Sequence, residues 1–141
     1  MELFKVIMKR KSIREFSDKP LKKEDIDTIA GMAYKIPSAG ALYPLTIYVI
    51  KKSLVPCLFI ICADFDKTTV KYGRRGVRYV FMEAGHAAQN ILLCATALGL
   101  ASYPIGAFED KILKQRFNLK DHPIYMVAVG YEKGRAIQGA K

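Results

Sequence analysis

Residues 76–98 read GVRYVFMEAGHAAQNILLCATAL, and the spacing of their apolar positions decides the fold. Val80, Phe81, Ala84, Ala87, Ala88, Ile91, Leu92, Ala95 and Leu98 recur at helical intervals. Apolar side chains surround much of this helix, which predicts a long element buried among others. Its alanines allow another backbone to pack close, and Gly99 is a suitable stop.

Working outward, two apolar, β-branched-rich runs precede it, Leu45–Ile50 and Pro56–Ala63. Both read as strands, joined only by Lys51–Val55, and a turn follows at Asp64-Phe65-Asp66. Further back, Lys22–Tyr34 repeats Ile26, Ile29, Ala30 and Ala33 at helical spacing. Glu2–Lys9 reads as a short helix with an apolar stripe of Leu3, Phe4, Ile7 and Met8, and Ser17–Pro20 as a turn. Beyond the long helix, Ala101–Ile105 and Ile124–Tyr131 read as strands and Asp110–Phe117 as a short helix. Glu132–Lys141 is a basic tail. No repeat, low-complexity stretch or linker interrupts this order. The expectation is a single domain over residues 1–141, a mixed α+β layer fold around a central helix.

Composition narrows the function classes. Hydrophobic residues make up 51% of 141 residues and aromatics 11%, enough for a packed core. The chain is nevertheless small for enclosing a large cofactor, and a site shared between two subunits would relieve that. The net charge of +10, from 23 Lys+Arg against 13 Asp+Glu, favours anionic partners. No aromatic-rich RNA-binding strand or zinc-finger spacing accompanies the charge, so nucleic acid is not the expected partner. Cys57, Cys62 and Cys94 are odd in number and fit no metal or redox spacing, which suits free thiols in a reducing cytoplasm. Met1–Met8 is too short for a signal-peptide core, and no charge-free apolar run reaches about 18 residues, so no membrane span is expected.

Three segments carry the chemistry. Lys9-Arg10-Lys11-Ser12-Ile13-Arg14-Glu15-Phe16 follows the first helix, where guanidinium and hydroxyl donors together suit a phosphate. Taken alone, such a cluster is more commonly a solvated charged face. Ile36–Pro44 contains Pro37-Ser38-Ala39-Gly40, whose small residues let a ligand approach the backbone and whose Gly40 permits unusual dihedrals. Tyr103–Phe108 contains Pro104-Ile105-Gly106-Ala107, where backbone N–H groups past a strand end would bond the edge of a planar ring. By itself this third segment reads as an ordinary strand-to-helix turn. Together the three suit a ligand with a phosphate and a large planar ring, which points to FMN and redox chemistry.

The order of five motifs sharpens this. Arg-x-Ser-x-Arg-x-Phe at 10–16, Pro-Ser-Ala-Gly-Ala-Leu-Tyr-Pro at 37–44, Lys-Tyr-Gly-x-Arg-Gly-x-Arg-Tyr at 71–79, Glu-Ala-Gly-His-Ala-Ala-Gln-Asn at 83–90 and Pro-Ile-Gly-Ala-Phe at 104–108 together resemble the FMN-dependent nitroreductase family. More narrowly, they are similar to the branch of streptolysin-S-type dehydrogenases that oxidise thiazolines and oxazolines in peptides. The resemblance implies a central, mostly antiparallel sheet flanked by helices around the long buried helix. It also implies a homodimer with two FMN molecules in the subunit interface and NAD(P)H or an organic molecule as electron donor. Carried over by position, Arg10 and Ser12 would hold the phosphate and ribityl end, with Lys11 nearby. Arg14 would lie near the N1–C2=O edge, where a cation stabilises the anion of the reduced ring. Pro37–Gly40 would cradle the ring from the partner subunit, and Gly106 and Ala107, after Pro104 and Ile105, would face N5. Lys133 and Arg135 would reach the phosphate. Lys71 and Tyr72 match a pair that azoline oxidases use to remove a proton as the flavin takes the hydride.

Glu83-x-x-His86 has the spacing of a carboxylate-bridged di-iron helix, but such sites need a second copy and His122 lies in a loop, so no metal is expected. His86 is expected to be hydrogen-bonded in or near the dimer core. The chain departs from the family at 51–55, where relatives carry helices over the substrate side, and in its short tail.

Overall fold

A computed structural model describes residues 1–51 and 54–134. Four strands form one antiparallel sheet, β1 (Leu45–Lys51), β2 (Cys57–Ala63), β3 (Ala101–Ile105) and β4 (His122–Gly130), in the order β1-β2-β4-β3. Among the described residues, five α-helices flank it: α1 (Leu3–Lys9), α2 (Lys23–Ala33), α3 (Asp66–Tyr72), α4 (Arg75–Ala97) and α5 (Asp110–Arg116). The strand β2 is buried along its whole length. Its side chains alternate between two apolar layers, as the pleat requires. Cys57, Phe59 and Ile61 face the layer built with α2 and α4. Leu58, Ile60 and Cys62 face a second layer that includes Phe16, Tyr103 and Phe117.

Both interior strands, β2 and β4, are nearly continuous apolar runs because both faces are covered. Pairing shifts between Ile61↔Tyr125 and Cys62↔Pro123, which leaves Ile124 as a bulge beside a proline that cannot donate to the ladder. Pro104 is tolerated because β3 is an edge strand.

The α+β class and the central antiparallel sheet agree with the reading from sequence, and two elements differ. Asp66–Tyr72 is a helix, α3, whereas the sequence reading placed a turn at Asp64-Phe65-Asp66 and assigned no element to 67–75. In addition, α4 is buried on one side rather than all round. Val80, Ala84, Ala87, Ile91 and Ala95 are buried, whereas Phe81 is 52% exposed and Val77, Met82 and Leu98 also reach solvent. A single chain supplies one apolar layer against α4 and leaves the opposite face uncovered. The stripe of Leu3, Phe4, Ile7 and Met8 on α1 is exposed too, and Val6 alone anchors that helix in the interior.

Candidate cofactor site

The basic run is held by backbone, not by its charges. At the end of α1, the Arg10 N–H donates to the Val6 carbonyl at 2.9 Å and the chain turns extended. Ser12 then bridges Ser102 in parallel, and the Ile13 N–H donates to the Ser102 carbonyl at 3.0 Å. Phe16 bridges Glu132, the Ser17 N–H donates to the Tyr131 carbonyl at 2.9 Å, and the Lys133 N–H donates to the Glu15 carbonyl at 3.1 Å. Residues 12–17 therefore run from the β3 edge to the chain just past β4. This attachment brings Lys133 beside the run, and Arg135 lies outside the described residues.

Side chains reinforce the stitching. The Arg14 guanidinium carbon lies 5.5 Å from the Tyr103 ring centroid, and Phe16 stacks on the same ring at 6.0 Å. Lys11, Ser12, Arg14 and Lys133 are exposed and Arg10 is half-buried. Pro104 and Ile105 belong to β3, and Gly106 and Ala107 emerge from its end into solvent. A Cβ at Gly106 would meet nothing within 4 Å, so the backbone there is open to approach. A cavity of about 340 Å³ opens beside Gly106 between Phe65, Phe81, Phe108 and His122. The chemistry of the guanidiniums, the ammonium and the hydroxyl fits a phosphate.

A second group forms on α3 and α4. The loop after α2 is fastened by Asn90, whose amide donates to the Met32 and Lys35 carbonyls at 3.0 Å each. Tyr34 accepts the Ile47 N–H at 2.7 Å, tying the same point to β1. Gly40, Ala41 and Tyr43 all take left-handed φ values of 62°, 53° and 46°, costly for the two that carry side chains. The turn is secured by the Ala41 N–H to the Ser38 carbonyl, at 3.0 Å, and by the Tyr43 N–H to Ser38 Oγ, at 3.0 Å.

Lys71 and Tyr72 end α3 and reach this loop. A Cβ placed on Gly40 would sit 2.8 Å from Tyr72 Oη and 3.2 Å from Lys71 Nζ. The helix α3 lies this close because Gly76 of α4 meets the Thr68 backbone, 3.1 Å from where a Cβ would stand. Tyr72 in turn packs edge-on against Tyr79, with centroids 5.2 Å apart. The structure thus brings Lys71 and Tyr72 onto Gly40, and it brings residues 12–15 onto Ser102, Tyr103 and Lys133, whereas Gly106 and Ala107 lie farther along, past the other end of β3. The first group is fastened to α3 and α4, the second to β3 and the end of β4.

Glu83 is the residue whose importance the sequence reading missed. It is 4% exposed, and it lines a cavity of about 260 Å³ with Ser38, Tyr79 and His86. Burial pushes its carboxyl above the usual range, while a hydrogen bond with Ser38 and the nearby His86 pull it partly back. No cluster of His, Cys, Asp and Glu able to hold a metal occurs among the described residues. Burial also pushes the Cys57 thiol to about 11 and the Cys62 thiol to about 12, so neither is a ready nucleophile at neutral pH. Among the described residues, no helix is long and apolar enough to cross a membrane.

Comparison with known proteins agrees with this layout. The sequence pattern of the nitroreductase family matches residues 7–55 and 54–131 in two pieces that meet at the short β1–β2 connection. A protein of Methanocaldococcus jannaschii that carries the nitroreductase name is 32% identical, over 92% of this chain and 91% of its own. That alignment spans 180 positions, more than the 141 residues here, so the relative carries segments this chain lacks. The crystal structure of a nitroreductase family protein from Clostridium difficile superposes with a TM-score of 0.82 at 26% identity, covering 94% of this chain and 86% of that one. The microcin B17-processing protein McbC of Escherichia coli is 29% identical over 72 residues, 51% of this chain and 26% of its own, which supports the narrower branch resemblance.

Proposed function

The chain belongs to the nitroreductase family and is an oxidoreductase; from that premise we propose that it is a cytoplasmic homodimer binding FMN at the subunit interface. When bound, FMN supplies a ring that accepts and returns a hydride at N5. The donor would be NAD(P)H or an organic molecule, and the acceptor a small nitro compound or quinone. Arg10 and Ser12 hold the phosphate and ribityl end, with Lys11 and Lys133 adding positive charge. Arg14 faces the N1–C2=O edge and stabilises negative charge there. Gly106 and Ala107 offer backbone N–H groups towards N5, and Pro37–Gly40 of the partner cradles the ring.

The observation that supports this reading is the backbone attachment of 12–17 to Ser102 and to Tyr131–Lys133, which holds Ser12, Arg14 and Lys133 near one another. The uncovered apolar faces of α1 and α4 support a dimer, because contiguous exposed apolar surface marks interaction sites. The test is to purify the protein and titrate FMN: yellow protein, or micromolar binding quenched by competing phosphate, supports the reading. Colourless protein that ignores added FMN contradicts it.

A second reading, azoline oxidation in modified peptides, is favoured by Lys71 and Tyr72 standing over Gly40 and by the partial match to a microcin-processing protein. Lys71 would take a proton from the azoline ring carbon, and FMN, when bound, would supply the two-electron acceptor for the hydride. The short β1–β2 connection supports a site open enough for a peptide. A non-catalytic flavin-binding module would keep the colour but show no reduction by NADH or NADPH.

A further inference from the structure

Ser38 has one hydroxyl proton to give, and Glu83 lines the same cavity as Ser38. Its Oγ accepts the Tyr43 N–H at 3.0 Å, so its own O–H is free to donate, and its hydrogen-bond partner is Glu83. An ionised carboxylate only accepts, so the chain of bonds runs Tyr43 N–H to Ser38 Oγ, then Ser38 O–H to Glu83. At its far end are Gly40, Ala41 and Tyr43, three left-handed residues within four positions, two of them strained by their side chains. Strain of this kind persists only where surrounding bonds over-determine the conformation.

We infer that Glu83 is a positioning residue for the cofactor loop: through Ser38 it holds residues 38–43 in the strained shape that cradles the ring. This rests on the reading that Pro37–Gly40 contacts FMN. Glu83 lies in α4 and is almost out of solvent. The titratable groups that share its cavity are His86 and Tyr79 on α4, while Lys71 and Tyr72 of α3 face the loop at Gly40. His86 and the Ser38 bond both favour its charged form, and burial opposes that form. Charge on Glu83 and order in the loop are therefore linked, and linkage is reciprocal. Ionising Glu83 strengthens the Ser38 bond and tightens the loop, and a ring seated on the loop favours ionisation.

The test uses the full chain in two arms. In the FMN-free protein, NMR follows the Glu83 carboxyl carbon and the Tyr43 amide across pH. The proposal expects both to titrate together, with Tyr43 amide exchange slowing as Glu83 ionises. A Tyr43 amide that does not respond to the Glu83 titration overturns it, with no variant needed. In the second arm, FMN affinity is measured against pH for the wild type, Glu83→Gln and Glu83→Ala. Glu83→Gln, whose amide oxygen still accepts from Ser38, should bind FMN but lose the wild-type rise in affinity through the Glu83 titration. Glu83→Ala should bind about tenfold more weakly at alkaline pH, the worth of about one hydrogen bond. Titration of the FMN phosphate is common to all three proteins and cancels in the comparison. Equal affinities and equal pH profiles in all three overturn the proposal. If no protein binds FMN at any pH, the cofactor reading fails, and the Tyr43 amide still decides whether Glu83 holds the loop.

Discussion

Phe16 lies against the bare backbone of Gly130: a Cβ on Gly130 would stand 2.9 Å from Phe16 Cδ1 and 2.9 Å from Pro56 Cγ. The last residue of β4 thus leaves the space into which the end of the basic run packs. Gly130→Ala should destabilise the protein by about 1–3 kcal/mol, the usual cost of forcing atoms into a filled core. It should also displace Phe16 from the Tyr103 ring and, through Arg14 on the same ring, slow flavin reduction. Thermal melting and stopped-flow reduction of the variant check both effects.

Arg10 and Arg14 should separate by role. Arg10→Ala should weaken FMN binding about 10- to 100-fold, as loss of a charge-assisted phosphate contact does. Arg14→Ala should bind FMN comparably but slow flavin reduction by about 10²-fold, since its charge acts on the reduced ring. Stopped-flow reduction and FMN titration on the same preparations distinguish the two, and identical behaviour would remove the division of labour.

Lys71 Nζ stands 5.4 Å from the Tyr72 ring centroid, and both side chains reach Gly40 of the loop. If the chain oxidises azolines, Lys71→Ala should retain FMN and lose oxidation by about 10²–10⁴-fold, the range for a positioned base. A variant that oxidises the azoline peptide at the wild-type rate would exclude Lys71 as that base.

Burial raises the Glu83 pKa, so the folded protein holds this proton more tightly than the unfolded chain does. Stability from this group is therefore fully present below the unfolded carboxylate pKa and is lost as pH rises through the folded one. Glu83→Gln removes that loss. Its melting temperature should exceed the wild type's at neutral pH, and the advantage should fade towards acid pH. Melting curves across pH measure the difference.

The sheet was legible because its strands are apolar runs, and β3 has the bounds expected from sequence, Ala101–Ile105. The helix α3 was not, because DKTTVKY carries no apolar period. Its one aliphatic residue, Val70, is 86% exposed, and its position depends on the close approach of Thr68 to Gly76. The exposed side of α4 was illegible for another reason: Phe81 and Met82 are apolar, yet among the described residues both stay about half exposed. In the site, the cation cluster could be seen in the sequence, but not its pairing with Ser102, since a bridge between residues 12 and 102 leaves no local pattern. Glu83 showed there only as half of a metal-like spacing. Its partner, Ser38, comes from a distant loop, and only the fold brings the two together.

The most direct measurement is an anaerobic absorbance titration of the purified protein, loaded with FMN, against NADH and then NADPH. The account predicts bound-flavin bands that bleach with about one equivalent of reductant, as a two-electron carrier requires, and that return on adding a nitro compound or quinone. A protein that shows no flavin bands after loading, or whose bands do not bleach with either nucleotide or any organic donor, would contradict it.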